Sequence, residues 1–296
     1  MTTRMTPVPL VLACDGAYIM PLATTLRSIA ESRTTTQTLE AYVICSGVGN
    51  ELRAQVAASL PAGAFTLKWI DIDVGRFDRF FTLPHLSKMT FARLLIPDIL
   101  AADVKKVLYL DVDLLILADL GPLLEMDLDG KAMAAVHDRG DAKMKRGDPD
   151  FDNLPRVQDY FNCGVLLIDI ERWRQEQVPQ RALAFLESHP RTPFGDQDAL
   201  NVATDGRWKI LDPKWNFQRH ALESLAQMNP AQRPYIVHFV MAEKPWIARM
   251  LNVNAAFYDR YRGRTLFRRS LRQRAVDLAT VAGERAKRAL RLLLRR

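Results

Sequence analysis

Two carboxylates, Asp111 and Asp113, stand two residues apart in the run Val107–Leu117 (VLYLDVDLLIL), which is otherwise apolar apart from Tyr109. In an extended strand, residues i and i+2 point to the same face. Two like charges on one face of a buried strand repel each other and are poorly solvated. A hard divalent cation would compensate them, and oxygen ligands of this kind suit Mg²⁺ or Mn²⁺, which keep positions open for substrate phosphates. The competing reading is a strand end whose aspartates reach water or cap a helix; the apolar residues on both sides weigh against it. His238 lies in a second apolar run, Tyr235–Val240 (YIVHFV), and Lys244 follows six residues later, ahead of Pro245. A neutral imidazole is a good ligand for a borderline cation such as Mn²⁺. Taken alone, a histidine after an apolar strand is more often structural, and Lys244 reads as a solvated lysine before a proline. Asp15 ends the first apolar run, and Asp196, Gln197 and Asp198 form a DQD triplet. Asp15 alone reads as a turn or helix cap, and the triplet as a helix start, where the macrodipole favours acidic residues.

The elements that must carry these residues follow from the apolar periodicity. Strands are expected at 8–14, 39–45 and 65–72, separated by helices at 21–30, where Leu22, Leu26 and Ile29 share a face, and at 50–60. A helix is expected at 90–100, then one unbroken strand at 107–117 bearing both aspartates. Further strands are expected at 131–137, 160–170 and 235–240, with helices at 180–186 and from 196. Alternating strands and helices predict an α/β fold built on a Rossmann-like, mostly parallel sheet with flanking helices. Open parallel sheets bind ligands beyond the carboxyl ends of their strands, which is where Asp15 falls. The polar stretch 142–158 is expected to be a mobile loop, and a lid there would exclude water from the donor.

The chain has 296 residues, 48% of them hydrophobic and 25% charged, with a formal net charge of +7. That content suits a globular α/β body and excludes a disordered chain. The charge is uneven. Residues 262–296 hold twelve Lys and Arg against Asp277 and Glu284, a net of +10, which leaves residues 1–261 near −3. A nucleic-acid reader would carry its basic patch on the folded body, so no nucleic-acid partner is expected. Cys14, Cys45 and Cys163 form no CxxC pair and read as buried free thiols of a reducing compartment. No secretory signal and no apolar run of about 18 residues are found, so a cytoplasmic protein, soluble or peripheral, is expected. The absence of GxxxxGK[ST] excludes a P-loop nucleotide hydrolase, and no glycine-rich phosphate loop supports a nucleotidyltransferase.

Five blocks in order resemble glycosyltransferase family 8, which includes bacterial lipopolysaccharide and lipooligosaccharide galactosyl- and glucosyltransferases and glycogenin. They are KMTFARL at Lys88–Leu94, KVLYLDVDLL at Lys106–Leu115, FNCGVLLID at Phe161–Asp169, FGDQDALN at Phe194–Asn201 and HFVMAEKPW at His238–Trp246. The resemblance implies a GT-A nucleotide-sugar-binding domain. It also implies a retaining transfer of an α-linked hexose from UDP-galactose or UDP-glucose to a glycan acceptor. Asp111, Asp113 and His238 would hold Mn²⁺, with Mg²⁺ as the alternative, and Lys244 would face the diphosphate. Asp15, Arg93, Val112, Asp138 and Asn162 would contact the donor. Asp196 would hold sugar hydroxyls. Gln197 would lie on the β face, where an amide is a poor nucleophile and favours a same-face mechanism, with Asp198 the fallback nucleophile. Two departures stand out: Ala17 where the family often has asparagine, and Met241 where its late loop has glycine.

Two units are expected, a catalytic domain over 1–262 and a basic amphipathic tail over 263–296. The tail's leucines and alanines recur at helical spacing between arginines, a pattern suited to an anionic membrane surface on the inner face of the cytoplasmic membrane. Packing of this helix on its own domain or on a partner is the alternative. For the whole protein, the rival is a membrane-surface scaffold with an inactive GT-A domain.

Overall fold

The computed structural model describes residues 8–83, 87–139, 157, 159–218 and 224–293. The chain opens with β1 (Leu10–Asp15), α1 (Ile19–Ser32), β2 (Leu39–Ser46), α2 (Asn50–Ala58) and β3 (Phe65–Asp71). A 3-10 helix at Lys88–Leu95 leads into the short α3 (Ile96–Ile99), then β4 (Lys106–Leu110), β5 (Leu114–Ile116), α4 (Gly121–Leu124) and β6 (Met133–His137). There follow β7 (Phe161–Asp169), α5 (Ile170–Gln175), α6 (Val178–Ser188), α7 (Asp196–Thr204), β8 (Lys209–Ile210), β9 (Phe217–Gln218), β10 (Ile236–His238), α8 (Ala255–Arg262) and α9 (Leu271–Leu293).

The main sheet has the order β3-β2-β1-β4-β7-β6-β8. All its strands run the same way except β7, which is antiparallel to both neighbours. It is the expected mixed α/β architecture with a mostly parallel sheet. Side chains alternate across each strand: Leu10, Leu12 and Cys14 of β1 face one core, and Val11 and Ala13 the other. Both faces are therefore covered, which is why these strands read as continuous apolar runs. The three cysteines are buried free thiols.

The expected single strand at 107–117 is corrected: it is two strands in two sheets. β4 ends at Leu110 in the main sheet, and β5 begins at Leu114 in a second sheet of order β5-β10-β9. The link Asp111–Asp113 crosses between them. α1 meets free backbone groups of the link and of β5: Thr25 Oγ1 lies 2.8 Å from the Val112 carbonyl oxygen and 2.9 Å from that of Leu114, and the Ile116 amide donates to Ser28 Oγ at 2.9 Å. The helix expected at 90–100 is likewise a 3-10 helix followed by a single α turn. The loop expected at 142–158 lies outside the described residues apart from Val157.

α8 buries Phe257 and Tyr258, and the chain stays on the body through Thr265 and Phe267. α9 then projects. Its half-buried positions are Asp277, Thr280, Val281 and Glu284, whereas Leu271, Leu278 and Leu290 are exposed. Arg269 anchors the polar side through Asp259 and Asp277, the latter at 2.7 Å. The face of α9 toward the body is thus mixed, with Asp277, Leu278, Val281 and Arg285 lining a cleft against residues 247–263, while Leu271 and Leu290 are exposed. Among the described residues no helix is long and apolar enough to cross a membrane.

Candidate active site

The aspartate link, β10 and β7 bring the charged residues together. One ligand atom each from Asp111, Asp113 and His238 lies within 4.8 Å of the others. His238 Nε2 is 3.2 Å from Asp113 Oδ1 and 3.9 Å from Asp111 Oδ2. His238 Nδ1 is 3.0 Å from Asn216 Oδ1, while the Asn216 amide donates to Asn162 Oδ1 at 2.9 Å. With its amide turned toward Asn162, Asn216 offers oxygen to the imidazole, so Nδ1 donates to it and Nε2 faces the carboxylates. Two carboxylate oxygens and one imidazole nitrogen form a donor set that fits Mn²⁺ or Mg²⁺.

The imidazole reaches this position because β7 has a glycine beside it. A Cβ on Gly164 would come within 2.3 Å of His238 Cε1. The same glycine's carbonyl oxygen accepts the Asp111 amide at 2.8 Å, tying the link to β7. Lys244, itself buried, donates from Nζ to Asp113 Oδ2 and to the Phe239 carbonyl oxygen, both at 2.6 Å. Burial pushes the Asp113 carboxyl up, but Lys244 and His238 outweigh it and hold the group well below the ordinary carboxylate range.

Arg93 joins this cluster to the DQD triplet. It donates from Nη2 to Asp111 Oδ1 at 3.0 Å and from Nη1 to the Cys163 carbonyl oxygen at 2.5 Å. Its Nε lies 2.9 Å from Asp196 Oδ2, but the Nε proton is directed to the Thr90 carbonyl oxygen at 3.0 Å. Thr90 Oγ1 donates to the other oxygen, Asp196 Oδ1. Oδ2 of Asp196 is thus close to a cation yet accepts no hydrogen bond among the described residues. Burial is the largest influence on this carboxyl and raises it to about 6, against the pull of Arg93. Tyr109 adds a donor, its hydroxyl 2.8 Å from Asp111 Oδ1.

Gln197 sits in the same network. Its Oε1 accepts from the Cys163 amide at 3.2 Å and from Asn162 Nδ2 at 3.3 Å; its Nε2 donates to Asp138 Oδ2 at 3.3 Å and to the Tyr160 hydroxyl at 3.2 Å. Asn162 also donates to Asp138 Oδ2 at 3.0 Å. Asp198 is fully buried. It accepts from the Tyr160 hydroxyl at 2.6 Å, from Thr192 Oγ1 at 2.5 Å and from the Phe194 amide at 2.9 Å. Its oxygens are committed to bracing the loop before α7, so the structure does not present it as a nucleophile. Asp15 lines the cleft with Asp111, Val112, Asp113, Arg93 and Lys244. It caps its own turn, accepting from the amides of Ala17 at 2.9 Å and Tyr18 at 3.2 Å and from Ser87 Oγ at 2.5 Å.

All the residues singled out in the sequence therefore meet in one network or line its cleft. Asn216, Tyr160, Tyr109 and Thr90 were not anticipated, since none belongs to a recognisable spacing. Met241, which stands where the family's loop has glycine, adopts a left-handed backbone with φ of 65°, a region glycine occupies freely.

Fold and site together define a glycosyltransferase of the GT-A type. The chain belongs to glycosyl transferase family 8, whose profile matches residues 9–249. It is 27% identical over 266 residues to general stress protein A of Bacillus subtilis strain 168, covering 85% of this chain and 91% of that one. It is also 27% identical to the glycosyltransferase GlyF of Streptococcus pneumoniae serotype 4, covering 80% of this chain but only 56% of the relative. Over 172 residues, 54% of this chain and 49% of the other, it is 27% identical to the lipopolysaccharide 1,2-glucosyltransferase of Escherichia coli K12. The structure of the galactosyltransferase LgtC in complex with donor and acceptor sugar analogs superimposes with a TM-score of 0.74 at 26% identity, over 90% of this chain and 99% of that one.

Proposed function

We propose that this protein is a metal-dependent, retaining glycosyltransferase. It would move an α-linked galactose or glucose from a UDP-sugar to a hydroxyl of a lipopolysaccharide-type or other lipid-linked glycan. The observation that carries the reading is the continuity of the polar network. A cation-ready triad, a buried arginine and a carboxylate with one unbonded oxygen stand side by side. The completeness of that network is hard to reconcile with an inactive scaffold.

A divalent cation held by Asp111, Asp113 and His238 would supply charge compensation for the donor diphosphate. Lys244 spends two of its three donors on Asp113 and Phe239 and keeps one for a phosphate oxygen. Asp196 would hold a sugar hydroxyl; its Oδ2 lies buried beside Arg93 Nε at 2.9 Å, so the hydroxyl would have to reach it behind the arginine. Gln197 has its carbonyl oxygen engaged by Cys163 and Asn162, so the amide orients the sugar without attacking it. In the same-face route the anomeric C–O bond to UDP breaks with its electron pair leaving on the phosphate. The acceptor oxygen bonds to the anomeric carbon, and its proton passes to the departing phosphate oxygen. Val112, Asp15, Asp138 and Asn162 complete the donor site. The exposed leucines and flanking arginines of α9 support peripheral attachment to an anionic membrane, with residues 263–296 as a unit distinct from the catalytic body.

The test is UDP release from a panel of UDP-sugars with Mn²⁺, for the wild type and Asp113→Asn. Release from one sugar that vanishes in the variant supports the reaction and names the donor. No release from any sugar, without metal-dependent UDP binding, overturns it.

A further inference from the structure

A second charged cleft lies away from the aspartate cluster. β5 and β10 pair antiparallel, with Leu114 opposite His238 at the catalytic end. At the other end the Leu117 amide donates to the Tyr235 carbonyl oxygen at 2.8 Å. The run Ile236–His238 separates the ends by roughly 10 Å at ~3.3 Å per residue. There, against α8, opens a cleft of about 480 Å³ lined by Arg233, Arg260 and Arg264 and by the rings of Tyr235, Phe257 and Tyr261.

No carboxylate among the described residues lines this cleft. Arg264 is paired with Glu31, which also takes Arg27 at 2.5 Å. Neither Arg233 nor Arg260 has a carboxylate partner among the described residues. The Arg260 guanidinium lies 5.5 Å from the Phe257 ring centroid, and a further cation, Lys214 Nζ, lies 5.5 Å from that of Tyr235. The Tyr261 hydroxyl sits among the three arginines: burial and Glu31 raise it, while Arg264, Arg260 and Arg233 pull the other way. Three guanidiniums on one concave surface repel, and two of them are left without a counter-charge. Planar guanidinium forks match phosphate bidentately, and the volume holds a phosphoryl group with the sugar or glycerol that bears it.

We propose that this cleft is a phosphate-binding site, separate from the donor site, that takes a phosphate monoester or diester carried on a larger molecule. The carrier is either the headgroup of an anionic lipid or a phosphorylated glycan. Arg233 and Arg260 grip the phosphate, Arg264 shares it with Glu31, and the aromatic rings flank the carrier.

The experiment uses the full chain in EDTA, so that the aspartate cluster cannot hold the anion through a metal. Inorganic phosphate is titrated against chloride at equal ionic strength, reading the melting temperature and the calorimetric affinity. The wild type is expected to gain thermal stability with phosphate alone. In R233A/R260A the affinity should fall by about tenfold or more, while Mn²⁺-dependent UDP binding, measured separately, shows that the variant is folded. Should the double variant lose UDP binding, the single variant R260Q carries the same comparison. Phosphate acting no differently from chloride, or equally on variant and wild type, overturns the site. Partition onto phosphatidylcholine vesicles with and without phosphatidylglycerol separates the carriers. A loss of phosphatidylglycerol-dependent partition in R233A/R260A marks a lipid headgroup. In a background with the α9 arginines Arg285 and Arg288 replaced by alanine, so that α9 does not mask the cleft's share, partition unchanged by R233A/R260A with lost phosphate binding marks a phosphorylated glycan.

Discussion

Arg93 stands between Asp111 and Asp196, its Nη2 3.0 Å from Asp111 Oδ1 and its Nε 2.9 Å from Asp196 Oδ2. All but a few per cent of its side chain is buried. Removing one partner of a buried charge pair leaves the other uncompensated, at a cost of about 3–5 kcal/mol. Arg93→Met should therefore lower the urea unfolding free energy by about that much. Mn²⁺ would restore part of the loss through Asp111, but none of the part from Asp196. A variant within about 0.5 kcal/mol of the wild type would show that Arg93 balances neither carboxylate.

The unbonded oxygen of Asp196 has a pH signature. Its folded value, about 6, lies above its ordinary 3.8, so the folded state binds the proton more tightly than the unfolded state. The stability this confers is fully present below about pH 4 and is lost as pH rises through about 6. Two units correspond to about 3 kcal/mol at most. Melting curves from pH 4 to 7 should show this downward slope in the wild type and lose it in Asp196→Asn. An unchanged slope in Asp196→Asn would assign the titration to another group. If the ionised form accepts a sugar hydroxyl, kcat/KM should also rise with pH through about 6.

The aspartate pair was legible in the sequence because carboxylates in an apolar run have few alternatives, but the strand carrying them was not. Periodicity cannot reveal that Val112 and Leu114 find their hydrogen-bond partner in Thr25, nearly ninety residues earlier. Thr25 looked like one more small residue on a helix whose apolar face was Leu22, Leu26 and Ile29. The same holds for Asn216 and Tyr160, which act on His238 and Gln197 through contacts that only the folded chain makes. Asp198 shows the reverse: its acidic triplet suggested chemistry, whereas its buried partners give it a bracing role.

Thr25→Val keeps the volume of the side chain and removes its hydroxyl. Two buried carbonyls then lose their shared donor, and each orphaned group costs about 1–3 kcal/mol. Urea unfolding should register a loss of about 2 kcal/mol or more, and Mn²⁺-dependent UDP binding should weaken as the Asp111–Asp113 link loosens. Full stability in this variant would mean that water or backbone shifts replace the hydroxyl.

Asn216 fixes the His238 tautomer through Nδ1 at 3.0 Å. Partners of this kind typically account for 10–100-fold in metal affinity. Asn216→Ala should weaken Mn²⁺ binding by that factor, read by titration with the metal alone. Asn216→Asp, which keeps the acceptor, should retain most of it. Equal weakening in both variants would place the role of Asn216 in its bond to Asn162 instead.

Met241 has a left-handed backbone and is about half exposed, so its side chain offsets little of the strain. That conformation costs an L-residue about 1–2 kcal/mol, whereas glycine adopts it freely and loses about 0.5–1 kcal/mol through the greater freedom of its unfolded chain. Met241→Gly should therefore stabilise the protein by about 0.5–1 kcal/mol, seen as a higher melting temperature. Met241→Ala, which keeps a Cβ, should bring no gain. If Met241→Gly instead lowers the melting temperature, the side chain contributes packing that outweighs the strain, and the sequence departure at this position has its own structural reason.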